Sequence, residues 1–265
     1  MRAFAPGSVT AIFAPGETAD RSRGASVAIA DGVVADVEPA EETERATESV
    51  VAVDGKPTDF EPVELALETL DVTAEVDLTA EIPIGRGFGA SGAATLATAL
   101  AADAEFGLGR TRAELVEVAH RAEVEAGTGL GDVFVQDMGG LVVGDGGEPR
   151  WFDREDAVEY ASFGPIATEE ALADEDLMAR IAREGTAALD GLSADPSLAD
   201  LTREAWAFAQ AIDLPTDEVR ATVEEVEDAG GVASMAMVGE TVFAVGADGV
   251  LPNRTEVCPD GAHLR

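Results

Sequence analysis

The chain contains a single lysine, Lys56, a single cysteine, Cys258, and two histidines, His120 and His263. One cysteine permits no intramolecular disulfide and no cysteine-based zinc cluster, and it fits a reducing compartment. Two histidines and a cysteine at these separations match no zinc spacing. With its only lysine at position 56, the chain has no G-x-x-x-x-G-K-[ST] motif, which excludes the ordinary P-loop kinases. Runs of about 18 apolar residues are absent, and the N-terminus lacks the basic start, apolar stretch and small-residue cleavage site of a leader. The expectation is a soluble, cytoplasmic protein.

Positive charge as a whole is scarce: 17 Lys and Arg stand against 53 Asp and Glu, a formal net charge of −36. Such a field repels phosphate backbones and anionic lipid, so neither nucleic acid nor a membrane is an expected partner. It also strains the compact state by self-repulsion unless counterions screen it over a short Debye length. The acids are scattered through the chain rather than gathered in a tail, which reads as a whole-surface adaptation to molar salt and a halophilic source.

What is present in quantity is apolar material, 46% of 265 residues, enough for one large core or two packed lobes. Strands are expected at 9–13, 25–30, 33–37 and 50–53, in a mixed sheet, followed by a helix at 61–70. From Val72 to Ile82 apolar residues alternate strictly with polar ones, the pattern of a half-buried strand. An Ala- and Leu-rich helix at 94–106 leads without an intervening strand to a second helix, opened by a Thr111–Glu114 capping box and carrying Leu115, Val118, Ala119, Ala122 and Ala126 on one face. Residues 133–162 return to short apolar stretches, and 168–229 hold three or more helices. Val232–Val238 and Thr241–Val245, around Gly239-Glu240, form a closing hairpin. A lobe boundary is placed near Pro165, and there is no internal repeat.

Between the alternating strand and the Ala-rich helix lies Ile82-Pro-Ile-Gly-Arg-Gly-Phe-Gly-Ala-Ser-Gly-Ala93. A glycine-rich turn there directs backbone N–H groups to one spot at the positive end of a helix dipole, where polyphosphate fits. Gly87, Gly89 and Gly92 also satisfy G-x-G-x-x-G, but a Rossmann unit needs a second parallel strand after the helix, and here another helix follows. Glycines serving only a tight turn remain the alternative.

Phosphoryl transfer requires ligands for Mg²⁺ and a group that orients or deprotonates the attacking hydroxyl. Glu123 lies about 60° from the centre of its helix's apolar face, nearer than Glu114, Glu117 or Glu125, and is the acid best placed to be partly buried; a flanking glutamate paired with an arginine or simply solvated is the alternative. Asp132 ends the turn Gly127-Thr-Gly-Leu-Gly131, which can swing its carboxylate beside a ligand or leave it as a local cap. Ser91 can bond a phosphate, ligate Mg²⁺ or cap the helix. His120 falls about 120° off the apolar face and His263 sits in the tail, so a Ser-His-Asp hydrolase is disfavoured.

These residues resemble a known superfamily. Pro83 to Ala93 is similar to the P-x-x-x-G-L-G-S-S-A loop of the GHMP kinases (galactokinase, homoserine kinase, mevalonate kinase, phosphomevalonate kinase). Ala5-Pro6-Gly7 stands where those enzymes carry an N-terminal A-P-G, and Glu123, Asp132 and the Gly139-Gly140 pair follow in order. The resemblance implies a two-lobed α+β fold, with a ribosomal-protein-S5-like N-terminal domain at 1–160 and a ferredoxin-like C-terminal domain at 161–265. It implies ATP held by Pro83, Gly85, Gly87, Phe88, Gly89, Ala90, Ser91, Gly92 and Ala93. Ser91 and Glu123 would be Mg²⁺ ligands, Asp132 the acid that activates the substrate hydroxyl, and the assembly a homodimer.

Within the superfamily, Thr128 to Val133, Pro6-x-x-x-Thr10-Ala11-x-Phe13 and Ala233 to Gly239 look most like the archaeal pantoate kinases. That likeness implies phosphorylation of the 4-hydroxyl of pantoate in coenzyme A biosynthesis, with Thr10, Ser22 and Arg23 at the substrate. Pantoate is a carboxylate, which Arg21, Arg23 or Arg86 could grip, Arg23 being preferred. Two features depart from the superfamily pattern: Ser8 stands where many relatives have lysine, and the C-terminal glycine-rich motif is reduced to Gly230-Gly231 and the Ser234-Met235 stretch. The competing readings are the same chemistry on homoserine, shikimate or mevalonate, and a non-catalytic nucleotide-binding sensor.

Overall fold

Residues 2–15 and 22–39 are dominated by Ala, Val and Ile, and they pair antiparallel as the two longest strands, β1 (Arg2–Pro15) and β2 (Ser22–Pro39). The structure, a computed structural model, describes residues 1–16, 22–40, 48–164, 175–237 and 239–265. The stretches expected as separate strands at 25–30 and 33–37 are one strand. A register shift between Pro6 and Gly7 absorbs the residues between them, and Gly32 lets the backbones close up, since a Cβ there would lie 2.2 Å from the Ala5 carbonyl oxygen. Chain order then runs β3 (Val50–Val53), β4 (Lys56–Pro57), α1 (Glu61–Leu70), β5 (Ala74–Ala80), α2 (Ala90–Phe106), α3 (Arg112–Ala126) and α4 (Asp132–Met138). It continues with β6 (Leu141–Gly144), β7 (Arg150–Phe152), β8 (Ala157–Gly164), α5 (Glu175–Gly191), α6 (Leu198–Ala211), α7 (Asp217–Asp228), β9 (Val232–Met235), β10 (Glu240–Val245), β11 (Asn253–Glu256) and β12 (His263–Leu264).

The first sheet has the order β12-β1-β2-β5-β3-β4, with β6 and β7 continuing from the far part of β2. It is mixed: β3 runs parallel to β5, and the other pairs are antiparallel. In β5 the alternation works as read, Ala74, Val76 and Leu78 buried and the residues between them exposed. Helix α2 is buried from Ala90 to Ala102 apart from Ser91, and a helix apolar all round belongs in a core. Its alanines let it pack closely on β1 and β2 while α1 and α3 cover it. The Thr111–Glu114 capping box opens α3 as expected.

Four expectations are corrected. Residues 132–138 form a short helix rather than an apolar extended stretch, so Asp132 begins α4 instead of ending a turn. His120 is buried, not off the core: α4 packs beside α3 and brings the Phe134 ring to 4.8 Å from the imidazole. The β9–β10 hairpin does not close the chain, because β11 pairs with β8 and β12 returns to β1. The Ala-rich helix starts at Ala90, four residues before its expected start, so Ser91 lies inside its first turn.

The second sheet, β11-β8-β10-β9, is antiparallel, and α6 and α7 pack on it. Since β8 is one strand from Ala157 to Gly164, the division expected between residues 160 and 161 passes through it; Pro165 lies outside the described residues. The two sheets share a core in which Val158, Tyr160 and Phe243 join Ala5, Ile12 and Leu96. Among the described residues no helix is long and apolar enough to cross a membrane.

Leu96 is fully buried on α2. Leu96→Ala is expected to cost about 2–5 kcal/mol of unfolding free energy, read as a lower denaturant midpoint at unchanged slope.

Candidate active site

After β5 the chain turns through Glu81–Gly89 into α2. Gly85, Gly87 and Gly89 hold φ values of 72°, 87° and 61°, a region that L side chains rarely enter. Gly89 is constrained twice over, because a Cβ there would lie 2.3 Å from Ser8 Oγ and 2.7 Å from Gln136 Nε2. No side chain caps α2, so the first N–H groups of a 17-residue helix have no side-chain acceptor, the arrangement in which a helix end can take an anion. The turn is anchored from behind. Phe88 is buried with its ring 4.8 Å from that of Tyr160, and its carbonyl accepts from Ser8 N at 2.9 Å.

Glu123, one helical turn before the end of α3, is buried at 2% exposure. Ser91 Oγ and Thr95 Oγ1 each donate to its Oε1 at 2.8 Å, and Thr128 Oγ1 donates to Oε2 at 2.9 Å. No arginine or lysine pairs with it among the described residues. Burial raises its pKa; the three hydroxyls pull it back, and the nearby charge of Asp132 pushes it up again.

Asp132, at the first position of α4, is half-buried in the cleft wall. Ser8 Oγ donates to its Oδ1 at 2.9 Å and Thr10 Oγ1 to the same oxygen at 3.3 Å, while Ser26 Oγ reaches Thr10 Oγ1 at 3.1 Å. Its pKa is raised, chiefly by burial, with the two hydroxyls opposing. The turn between the acids passes so close that a Cβ on Gly129 would lie 3.1 Å from Glu123 Oε2 and 3.8 Å from Asp132 Oδ2.

These groups border or back a cleft of about 1870 Å³. Of the loop residues expected to hold nucleotide, Gly85, Gly87, Phe88, Gly89, Ala90, Ser91 and Gly92 line it. Pro83 and Ala93 do not: Pro83 lies in the first part of the turn, before the residues that line the cleft, and Ala93 is fully buried within α2. Thr10, Ser22, Arg23 and Asp132 line it too, Asp132 close against the turn, since a Cβ on Gly89 would lie 3.3 Å from its Cγ, and Glu123 lies just behind Ser91. Arg23 Nε donates to the Pro15 carbonyl at 3.3 Å and its Nη2 to Thr186 Oγ1 at 2.7 Å. Arg86 does not border the cleft, and its carbonyl accepts from Thr241 Oγ1 at 2.8 Å. Arg21 lies outside the described residues.

Several residues of the site escaped the sequence reading. Ser8 looked like a loss and is a fully buried ligand of Asp132. Gln136, fully buried, donates to the Gly89 carbonyl at 2.7 Å. Thr95 follows Ser91, and Gln136 follows Asp132, by one helical turn, a signal that could have found both. Thr186 comes from the second half of the chain, and nothing local points to it; Met237 lies in the Ala233–Gly239 stretch that carries the resemblance, although no site role was read from it.

The fold and this site define a GHMP kinase: residues 61–140 match the family described as "GHMP kinases N terminal domain". The chain is 30% identical over 274 residues to the pantoate kinase of Methanospirillum hungatei, covering 97% of this chain and 92% of that one. It is 32% identical over 270 residues to the pantoate kinase of Thermococcus kodakarensis, covering 94% and 88%. A solved "Phosphotransferase related to CoA biosynthesis pathway" superposes with a TM-score of 0.83 at 27% identity, covering 100% of this chain and 98% of that one. A crystal structure of mevalonate kinase, at 13% identity, shares the fold with a TM-score of 0.70 over 97% and 99% of the two chains. The chain belongs to the pantoate kinase family.

Because burial raises the Asp132 pKa, the acid limb of its kcat/KM profile is expected above the usual aspartate range. The folded state holds this proton more tightly than the unfolded chain. Its contribution to stability therefore falls as pH rises from the usual aspartate value through the raised one. Asp132→Asn should melt higher than the parent at neutral pH, and the gap should shrink in acid.

Proposed function

We propose that this protein transfers the γ-phosphoryl group of ATP to the 4-hydroxyl of pantoate, forming 4-phosphopantoate for coenzyme A synthesis. One observation carries the reading. In a chain 30–32% identical to pantoate kinases over nearly its whole length, Asp132 stands against the uncapped N-terminus of α2 and borders the same cleft, since a Cβ on Gly89 would lie 3.3 Å from its Cγ. Homoserine, shikimate or mevalonate as acceptors, and a non-catalytic sensor, are not favoured by these relatives.

The uncapped N–H groups of α2 and of the turn before it hold the oxygens of the polyphosphate. Ser8 and Thr10 occupy Oδ1 of Asp132, which leaves Oδ2 to take the proton of the substrate hydroxyl as its oxygen attacks phosphorus. A raised pKa makes that carboxylate a stronger base than an exposed aspartate. Arg23 at the cleft wall is the cation for the pantoate carboxylate, with Ser22 and Thr10 beside it.

Magnesium fits the same residues. Glu123 is a buried carboxylate with only neutral donors around it, and with Ser91 it offers the hard oxygens this ion prefers. Among the described residues no three acidic, histidine or cysteine side chains cluster to hold a metal alone, and Mg²⁺ commonly takes one or two carboxylates plus phosphate oxygens. When bound it would neutralise charge on the β- and γ-phosphate oxygens.

The charge of −36 supports an enzyme that works in molar salt, and we place it in the cytoplasm of a halophilic archaeon, as a homodimer. The two-lobed division belongs to the same proposal, a phosphate-loop lobe followed by a smaller lobe built on the second sheet.

The reading is tested by ADP release from Mg-ATP in molar KCl with pantoate, homoserine, shikimate or mevalonate. Turnover is expected with pantoate alone, and Asp132→Asn should lower kcat about 10³-fold; turnover on another alcohol would displace the substrate assignment. Adding salt from about 0.1 M to 1 M shortens the Debye length from about 10 Å to about 3 Å. The melting temperature should climb steadily across that range, and a flat or falling curve would remove the halophilic reading.

A further inference from the structure

Helix α5 lies against the end of β1 because its position 185 is glycine: a Cβ there would sit 2.1 Å from the Phe13 carbonyl oxygen and 3.2 Å from Ala14 Cβ. One residue on, Thr186 donates from Oγ1 to the Ala182 carbonyl at 2.7 Å, so the lone pairs of that hydroxyl are turned outward. They receive Arg23 Nη2 at 2.7 Å. With Nε on the Pro15 carbonyl, two edges of the guanidinium are held, and Nη1 has no hydrogen bond among the described residues. The fork is thereby locked with one donor arm free at the cleft wall.

The same face of α5 continues toward the helix N-terminus as apolar surface. Residues 177, 181 and 185 form one row, and 178, 182 and 186 the adjacent row. Leu177, Met178 and Ile181 border the cleft. Met237 joins them from the second sheet's side, its N–H donating at 3.0 Å to the carbonyl of Thr10, the residue whose hydroxyl bonds Asp132. An oriented cation and an apolar patch therefore border the same cleft as the glycine turn.

We infer that α5 selects the acceptor. Thr186 is a positioning residue that aims Arg23 at a carboxylate, and Leu177, Met178 and Ile181 take the branched hydrocarbon between that carboxylate and the reacting hydroxyl. The inference rests on the pantoate reading and adds what makes the wall specific. A hydroxy acid without the two methyl groups leaves the apolar patch unfilled, and an alcohol without the carboxylate leaves Arg23 unmet.

Steady-state kinetics on the full chain test this, with kcat and the KM values for pantoate and for ATP measured separately. Thr186→Val is expected to raise the pantoate KM about tenfold, the loss typical of one hydrogen bond to a charged group, with kcat and the ATP KM within about twofold. Thr186→Ser, which keeps the hydroxyl, should restore it. The parent should prefer pantoate over 2,4-dihydroxybutanoate, which lacks the methyls, by about 10²-fold in kcat/KM, and Met178→Ser should narrow that preference. A pantoate KM untouched by Thr186→Val, a rise shared equally with ATP, or a serine variant as impaired as the valine one would overturn the positioning role. A methyl preference unchanged in Met178→Ser would overturn the apolar wall. Arg23→Ala separates the levels. If it raises the pantoate KM while Thr186→Val does not, the α5 inference fails and the carboxylate assignment stands; a parent inactive on pantoate overturns the substrate reading itself.

Discussion

Three parts of the site meet at Ser8. Its N–H holds the carbonyl of Phe88 in the glycine turn, its hydroxyl holds Asp132, and the Gln136 amide that grips Gly89 lies 3.4 Å from the same oxygen. Ser8 is fully buried in β1, which the sheet clamps between β12 and β2, so the distance between phosphate turn and acid is set by the sheet and not by a loop. A longer side chain at position 8, or any side chain at position 89, would push the turn away from the acid. The missing lysine of the superfamily is thus replaced by a packing device: a small hydroxyl that orients the carboxylate without neutralising it.

The two acids are costly in this setting. Each is desolvated, and each is met by hydroxyls alone, which return only part of the lost hydration. Glu159 shows the contrasting solution. Burial raises its pKa, but N–H groups of Leu251, Gly249 and Val250 converge on the carboxylate, with Arg254 adding to them, and together they hold it below the usual glutamate range. That carboxylate ties the loop before β11 to β8 and has no part in the cleft. The two kinds of buried acid differ in what meets the charge: hydroxyls beside an uncapped helix end leave the pKa of Glu123 and Asp132 raised, while converging N–H groups bring that of Glu159 down.

Local signals carried much of this in the sequence. The α1 helix at 61–70 and the β3 strand at 50–53 stand where periodicity put them, and the alternation from Val72 to Ile82 contains β5. The glycine turn and the placement of Glu123 near its helix's apolar face came from spacing alone, because helix and strand periods are written in neighbouring residues. What misled was equally physical. Asp31-Gly32 reads as a turn, yet the chain passes straight through it as a bulge in β2; Gly127–Asp132 reads as loop, yet Asp132 starts α4. His120 looked peripheral on its own helix because the second surface that buries it comes from α4.

By itself, then, the sequence determined the charge of the surface, the glycine-rich turn, the two acids and the family resemblance, since each lies in composition or in a run of adjacent residues. Only the tertiary structure decided which groups those acids bond to and that, of the described candidates Arg23 and Arg86, Arg23 reaches the cleft. Ser8 meets Asp132 across 124 positions and Arg23 meets Thr186 across 163. Contacts of that span depend on the register of β1 and β2 and on the close approach of α5 at Gly185, neither of which leaves a mark in local pattern.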